Sequence, residues 1–235
     1  MTATLAKPAA VERGWAQTPP LNNGDRLTRT EFERRYHLHP EIKVAELIEG
    51  SVYVASPVHF EQHGKPHWNL VTWTGVYSAS TPAVRGADST TVCFDLENEA
   101  QPDIVLYHQS DGIGQVRVSS DDYLEGPPEL IVEVAAGTAS YDLHQKLRVC
   151  QRSGVQEYIV AQAYERRFDW FVLRAGLYEP MQPDERGVLR SEVFPGLWLK
   201  PSALWEDNLA TMLAVLQEGL ASPEHATFVG QVRAE

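Results

Sequence analysis

The chain has 235 residues, and its 32 Asp and Glu against 20 Lys and Arg give a formal net charge of −12. A content of 43% hydrophobic and 22% charged residues is that of a folded globular protein and excludes disordered, collagen-like and coiled-coil classes. No apolar run approaches the roughly 20 residues that cross a bilayer, no signal-type N-terminus is present, and Cys93 and Cys150 lack CxxC spacing; the expectation is a cytoplasmic protein with no membrane partner and no redox role.

Residues 1–25, with Pro8, Pro19, Pro20 and Asn22-Asn23-Gly24, carry turn formers without periodicity and read as an N-terminal extension. Thr28 and Glu31 have capping-box spacing, and Phe32 and Tyr36 recur at i and i+4, which predicts a short helix ending near His39-Pro40. Val44–Ile48 and Val52–Ala55, separated by Glu49-Gly50-Ser51, predict a β-hairpin. Pro66 is tolerated in a first helical turn, so Leu70, Val71, Trp73, Val76 and Tyr77 predict a helix from about Gly64 to Ser78.

From Val84 the pattern is extended, with strands predicted at Thr90–Phe94, Ile104–Tyr107 and Leu130–Val134 as candidates for the centre of a sheet. The last two are continuously apolar, as in a sheet covered on both faces. Asp142–Ser153 reads as a helix with Asp142 at its N-cap and Gly154 ending it, followed by a strand at Glu157–Val160. Phe168–Leu173 and Leu177–Met181 predict a second hairpin, and Pro201 opens one amphipathic helix through Leu204, Leu209, Leu213 and Leu216. Residues 221–235 read as a frayed tail, leaving 26–220 as a single domain of α/β (α+β) class, a mixed sheet flanked by helices.

Three residues carry candidate chemistry. Asp103 and Glu133 lie in or beside apolar β-runs, where an ionised carboxylate is costly unless it is paired or binds a metal. Two carboxylates at adjacent strand ends supply the hard oxygens that Mg²⁺ or Mn²⁺ prefers. Lys146 falls early in a helix, where the dipole disfavours a cation, which marks it for pairing with a carboxylate or a phosphate.

Each has a plainer reading. Asp103 could cap nearby backbone amides, Glu133 could pair with a buried arginine, and Lys146 could be solvated. His59, His63 and His67 recur every four residues, as in a zinc-binding helix, but Pro66 argues against one continuous helix through all three. The tryptophans at 68, 73, 170, 198 and 205 fall in predicted packing elements and are read as core. No GxSxG elbow supports a serine hydrolase.

In order and spacing, Glu46-Leu47-Ile48-Glu49-Gly50, His63-Gly64, Pro102-Asp103-Ile104-Val105, Pro128-Glu129-Leu130-Ile131-Val132-Glu133-Val134, Asp142 with Lys146, and Gly154-Val155-Gln156-Glu157-Tyr158 resemble the Uma-two family. That family of restriction-endonuclease-like proteins belongs to the PD-(D/E)xK nuclease superfamily, and the resemblance covers roughly residues 28–205. It implies an endonuclease that hydrolyses phosphodiesters of nucleic acid, DNA first, with Mg²⁺ or Mn²⁺ as cofactor and a homodimer as the working form. Asp103 and Glu133 would hold the metal, Glu46 would complete its shell, Lys146 would orient or polarise water, and His63 would contact metal-bound water or phosphate.

The superfamily lysine stands two residues after the glutamate, where this chain has Ala135, so Lys146 is its replacement from the following helix. The family's usual Leu-Ser-Pro-Ser-Thr is Ala135-Ala136-Gly137-Thr138-Ala139 here. That change, with an acidic balance that works against broad phosphate binding, motivates a rival expectation: an inactive nuclease fold kept as a binding or assembly module.

Overall fold

The computed structural model describes residues 18–109 and 114–232. The described residues open with a segment laid against a hairpin, Leu21 buried and the Gly24 amide donating to the Val52 carbonyl. Most of the extension read over 1–25 lies outside the described residues. Helix α1 (Arg29–Leu38) starts where the sequence places it, with the Thr28 hydroxyl accepting from the Glu31 amide. It buries Phe32 against strands β1 (Ala45–Ile48) and β2 (Ser51–Val54). Their turn uses positive φ at Glu49 (51°) and Gly50 (70°), the backbone twist a two-residue hairpin requires.

One π-helical turn, Phe60–Gly64, runs directly into α2 (Lys65–Ser80). Helical backbone thus passes through Pro66 and carries His63 and His67, while His59 stays outside as the preceding extended residue, so no one helix holds all three histidines. The wider turn, in which the Lys65 amide reaches back to Phe60, lets the helix pass through a residue with no N–H to give.

Strands β3 (Val84–Asp88), β6 (Ile104–His108), β9 (Leu130–Ala135), β10 (Glu157–Gln162), β11 (Arg167–Arg174) and β12 (Leu177–Pro180) form the main sheet, in the order β12-β11-β10-β9-β6-β3. Only β9 and β10 are parallel; the other pairs are antiparallel, so the sheet is mixed, as expected. A second sheet, β2-β1-β5-β4-β8-β7, adds β4 (Val92–Cys93), β5 (Glu99–Ala100), β7 (Arg117–Val118) and β8 (Leu124–Glu125) to the first hairpin. Thr90–Phe94 therefore is not a central strand but supplies the short β4, while β6 and β9 sit side by side in the main sheet. A two-stranded ribbon, β13 (Leu189–Arg190) with β14 (Trp198–Leu199), completes the strands of the described residues.

The parallel β9–β10 pair needs a crossover. It is made by one continuous helical segment: α3 (Ala139–Tyr141), a π-helical turn (Asp142–Lys146) and α4 (Leu147–Ser153), ended by Gly154 at φ +92°. Asp142 is not the N-cap; Thr138 precedes the helix, and Asp142 lies inside it and is buried. Cys150, with Leu143 and Leu147, faces the main sheet through Ile131, Ala135, Tyr158 and Val160. Val149 and Tyr141 face the second sheet through Ile48, Tyr53 and Ala100. The crossover helix is therefore clamped between two sheets, with Lys146 at the junction.

The other face of the main sheet packs on α2, α5 (Pro201–Trp205) and α6 (Leu209–Leu220) around Leu70, Trp73, Tyr77, Trp170 and Phe194. The single helix predicted from Pro201 is two, because Asp207 adopts φ 56° and Asn208 begins a new cap by accepting from the Thr211 amide. The C-terminal stretch read as frayed holds α7 (Pro223–Val232), anchored by buried His225, which meets the Thr81 hydroxyl at 3.0 Å and the Leu220 carbonyl at 2.9 Å. Trp68 is 67% exposed, so it is not a core residue.

Candidate active site

The register of β6 and β9, with Ile104 opposite Val132 and Val105 opposite Ile131, sets position 103 opposite Glu133 at the strand end. Directly opposed residues share a face, and it is the face covered by the crossover helix. The Asp103 Oδ2 accepts from the Val134 amide at 2.7 Å, so the amide-capping reading of Asp103 is part of its role. Its Oδ1 lies 3.3 Å from His63 Nε2. His63 Nδ1 meets the Val134 carbonyl at 3.0 Å. Val134 thus orients the aspartate through its N–H and the histidine through its C=O.

Glu133 pairs with a lysine rather than an arginine. The Lys146 Nζ stands 2.7 Å from Glu133 Oε1 and 2.7 Å from Glu46 Oε1, with all three side chains nearly sealed from solvent. Glu46 Oε1 also accepts from the Gln101 amide at 2.7 Å, and its Oε2 accepts from the Tyr141 hydroxyl at 3.0 Å. Glu133 Oε1 has ion-pair proximity to the ammonium yet no hydrogen bond, a buried oxygen left with unused acceptor capacity.

Electrostatics follow from this crowding. Burial pushes the Glu133 carboxyl well up; the Lys146 ammonium opposes that, and Asp142, Asp103 and Glu46 add to it. Burial likewise lifts Asp142 to about 6, against the pull of Lys146. Burial works against the charged form of Lys146, but Glu133 and Glu46 outweigh it and hold the ammonium well above the ordinary lysine range. Burial would raise Asp103, and the His63 hydrogen bond and charge overcome it to leave that carboxyl low. His63 is correspondingly raised, first by its hydrogen bond to Asp103.

The five residues singled out by the sequence, Glu46, His63, Asp103, Glu133 and Lys146, therefore meet in one neighbourhood from β1, the π-turn before α2, the start of β6, β9 and the crossover helix. Two clusters share it. Glu46, Glu133 and Lys146 are knit together, whereas the donor atoms that converge within 4.8 Å of one another belong to His63, His67 and Asp103. Asp103, Glu133 and Glu46 do not form one such convergent set among the described residues. Tyr141, Asp142 and His67 were not read as site residues from the sequence; the i+4 spacing of His67 from His63 was the one visible signal.

A second convergent trio, Glu33, Cys93 and Glu99, joins α1 to the second sheet. Arg29 already engages Glu33 at 3.1 Å, and burial lifts the Cys93 thiol to about 12 and Glu99 to about 8. Two surface clefts, one lined by Arg186, Lys200 and Glu218 and one by Pro195, Pro223 and Phe228, lie away from the site.

A family model, Uma2, described as "Putative restriction endonuclease", matches residues 29–202, which include every residue of both clusters. The chain belongs to the Uma2 family. Its fold is similar to a solved structure described as "a putative nuclease belonging to DUF820 from Anabaena variabilis", with a TM-score of 0.55 at 16% sequence identity, covering 77% of this chain and 99% of that one. No curated protein matches the chain. The Uma2 match and the nuclease-type mixed fold agree with the family and the fold class expected from the motifs, and among the described residues no helix is long and apolar enough to cross a membrane.

Proposed function

We propose that this Uma2 protein is a divalent-cation-dependent endonuclease that hydrolyses phosphodiester bonds of nucleic acid, with DNA as substrate. The observation that carries this reading is the opposed pair at 103 and 133 on one sheet face, with the Lys146 ammonium 2.7 Å from Glu133. The donors are carboxylate oxygens, the type a hard cation takes, with Glu133 and Glu46 held toward Lys146 and not converging with Asp103 in this structure. Asp103 Oδ1 lies 3.3 Å from His63, Glu133 Oε1 has spare acceptor capacity, and Glu46 adds a third carboxylate. These residues would hold Mg²⁺ or Mn²⁺, which supplies a water made nucleophilic at neutral pH and neutralises phosphate charge.

The chain's own groups have separable tasks. Lys146 fixes Glu133 and Glu46 and sets a positive charge beside them, His63 steadies Asp103, and Tyr141 holds the far oxygen of Glu46. Three carboxyls, Glu46, Glu133 and Asp142, lie buried near one ammonium, and because burial raises Glu133 and Asp142, a bound cation would be what favours their ionised forms. A homodimer, with one site for each strand, belongs to the same proposal.

The test is cleavage of single-stranded and duplex DNA and RNA with Mn²⁺ or Mg²⁺ under single-turnover conditions. The expected result is cleavage that falls by about 100-fold or more in Asp103→Asn and Glu133→Gln proteins. Equal rates in wild-type and variant preparations would show that the cleavage comes from elsewhere. One observation favours a second reading. Lys146 is already ion-paired with both Glu46 and Glu133, an arrangement that suits a binding or assembly module, and absence of cation binding to the wild-type protein would select it.

A further inference from the structure

We propose that His63, His67 and Asp103 form a three-donor site for a later first-row dication, Co²⁺ or Zn²⁺, held in preference to Mg²⁺; this rests on the cation-dependent reading above and assigns the kind of cation. The sequence spacing that suggested His59, His63 and His67 is resolved by the fold into a different trio. His59 precedes the π-helical turn, while His63 lies on it and His67 follows in α2, their rings tilted by 51° with centroids 5.3 Å apart. Asp103 arrives from the main sheet, and one donor atom from each of the three falls within 4.8 Å of the others.

The supporting contacts are those of a metal-binding histidine. A ligating imidazole usually donates its other N–H to a carbonyl or carboxylate, which fixes the tautomer and the ring plane. The His63 Nδ1 has such a partner in the Val134 carbonyl at 3.0 Å, which leaves Nε2 directed at Asp103. Asp103 is fixed through Oδ2 by the Val134 amide, so Oδ1 is its available oxygen. His67 Nε2 lies 2.8 Å from Asp88 Oδ1 and 3.3 Å from the Asp103 carbonyl, so two further oxygens stand beside the trio. All three side chains are only 15–18% exposed.

The chemistry of the donors selects the cation. Mg²⁺ takes oxygen ligands and retains water, whereas imidazole nitrogen binds the later first-row dications more strongly. Glu133 and Glu46, the oxygen donors that would favour Mg²⁺, are drawn away toward Lys146. His67 therefore becomes a ligand in its own right rather than a surface residue of α2.

The experiment is a titration of the metal-free protein with Co²⁺, followed by visible absorption and repeated in competition with Mg²⁺. The expected result is a band typical of nitrogen ligation, displaced only by about a 100-fold or larger excess of Mg²⁺. His63→Ala and His67→Ala should each weaken Co²⁺ by about tenfold or more, as should His67→Gln, which retains a polar side chain. His59→Ala should bind as wild type. Thermal unfolding of each metal-free variant identifies any that fail to fold, and His67→Gln then carries the test. Co²⁺ binding abolished by Asp103→Ala yet untouched by all three His63 and His67 variants would overturn this inference and leave the cation-dependent reading standing. Equal competition by Mg²⁺ would do the same. No binding of Co²⁺, Mn²⁺ or Mg²⁺ to the wild-type protein would defeat both.

Discussion

Removing the Lys146 ammonium would leave Glu46 and Glu133 buried without a counter-charge. Breaking a buried pair by deleting one partner costs about 3–5 kcal/mol, because the remaining charge stays desolvated. Lys146→Met should therefore lower stability by about that amount in urea denaturation at neutral pH. The triple substitution Lys146→Met, Glu46→Gln and Glu133→Gln should recover most of the loss. A single variant within about 1 kcal/mol of wild type would mean that the ion pairs do not hold the junction. Glu133 was legible in the sequence because a charge in the middle of an apolar strand is locally unfavourable, whereas Lys146 was singled out by a helix start at Asp142 that the structure moves back to Ala139. Asp142 misled because an aspartate before an apolar helix normally caps it. Here the helix begins three residues earlier, and that shift carries the carboxyl into the interior. Tyr141 left no signal, since nothing local indicates that its hydroxyl meets Glu46, 95 residues away in sequence.

At the scale of elements, the sheet and the crossover were legible because β6, β9 and β10 are short, apolar and bounded by turns. The second sheet was not. Strands of two residues such as β4, β5, β7 and β8 have no period to detect, and their pairings are fixed by distant partners. The break between α5 and α6 escaped for a related reason. The apolar spacing continues across it, while Asp207, tied to Lys65 at 2.8 Å, takes a left-handed backbone. Helix α6 also yields a prediction that runs against propensity. Gly219→Ala should gain up to about 1 kcal/mol as a helix former. A Cβ at that position would, however, stand 2.2 Å from the Gly196 carbonyl oxygen and 2.8 Å from the Trp198 ring. The variant should be destabilised, with a lower melting temperature by calorimetry, because neither the backbone nor the ribbon it belongs to can yield cheaply. An unchanged or higher melting temperature would show that α6 can slide away from the ribbon.

For the molecule as a whole, a net charge of −12 opposes approach to a polyanion. Many basic side chains are also engaged: Arg148 and Arg152 both hold Glu49, Arg34 and Arg35 hold Glu31, and Arg186 holds Glu218. A bound dication should then be what bridges protein and phosphate. Fluorescence anisotropy with duplex DNA should show binding in the presence of a divalent cation and none after chelation. DNA retained at full affinity in excess chelator would point to a basic surface instead. The cluster's long sequence reach has a consequence for biosynthesis. Glu46 and Lys146 lie 100 residues apart, and Glu133 joins them only when the crossover has closed on both sheets. A nascent chain that has emerged only as far as β9 carries the acidic groups without their ammonium. The proposed site is in this way complete only once translation has passed the helix that carries Lys146.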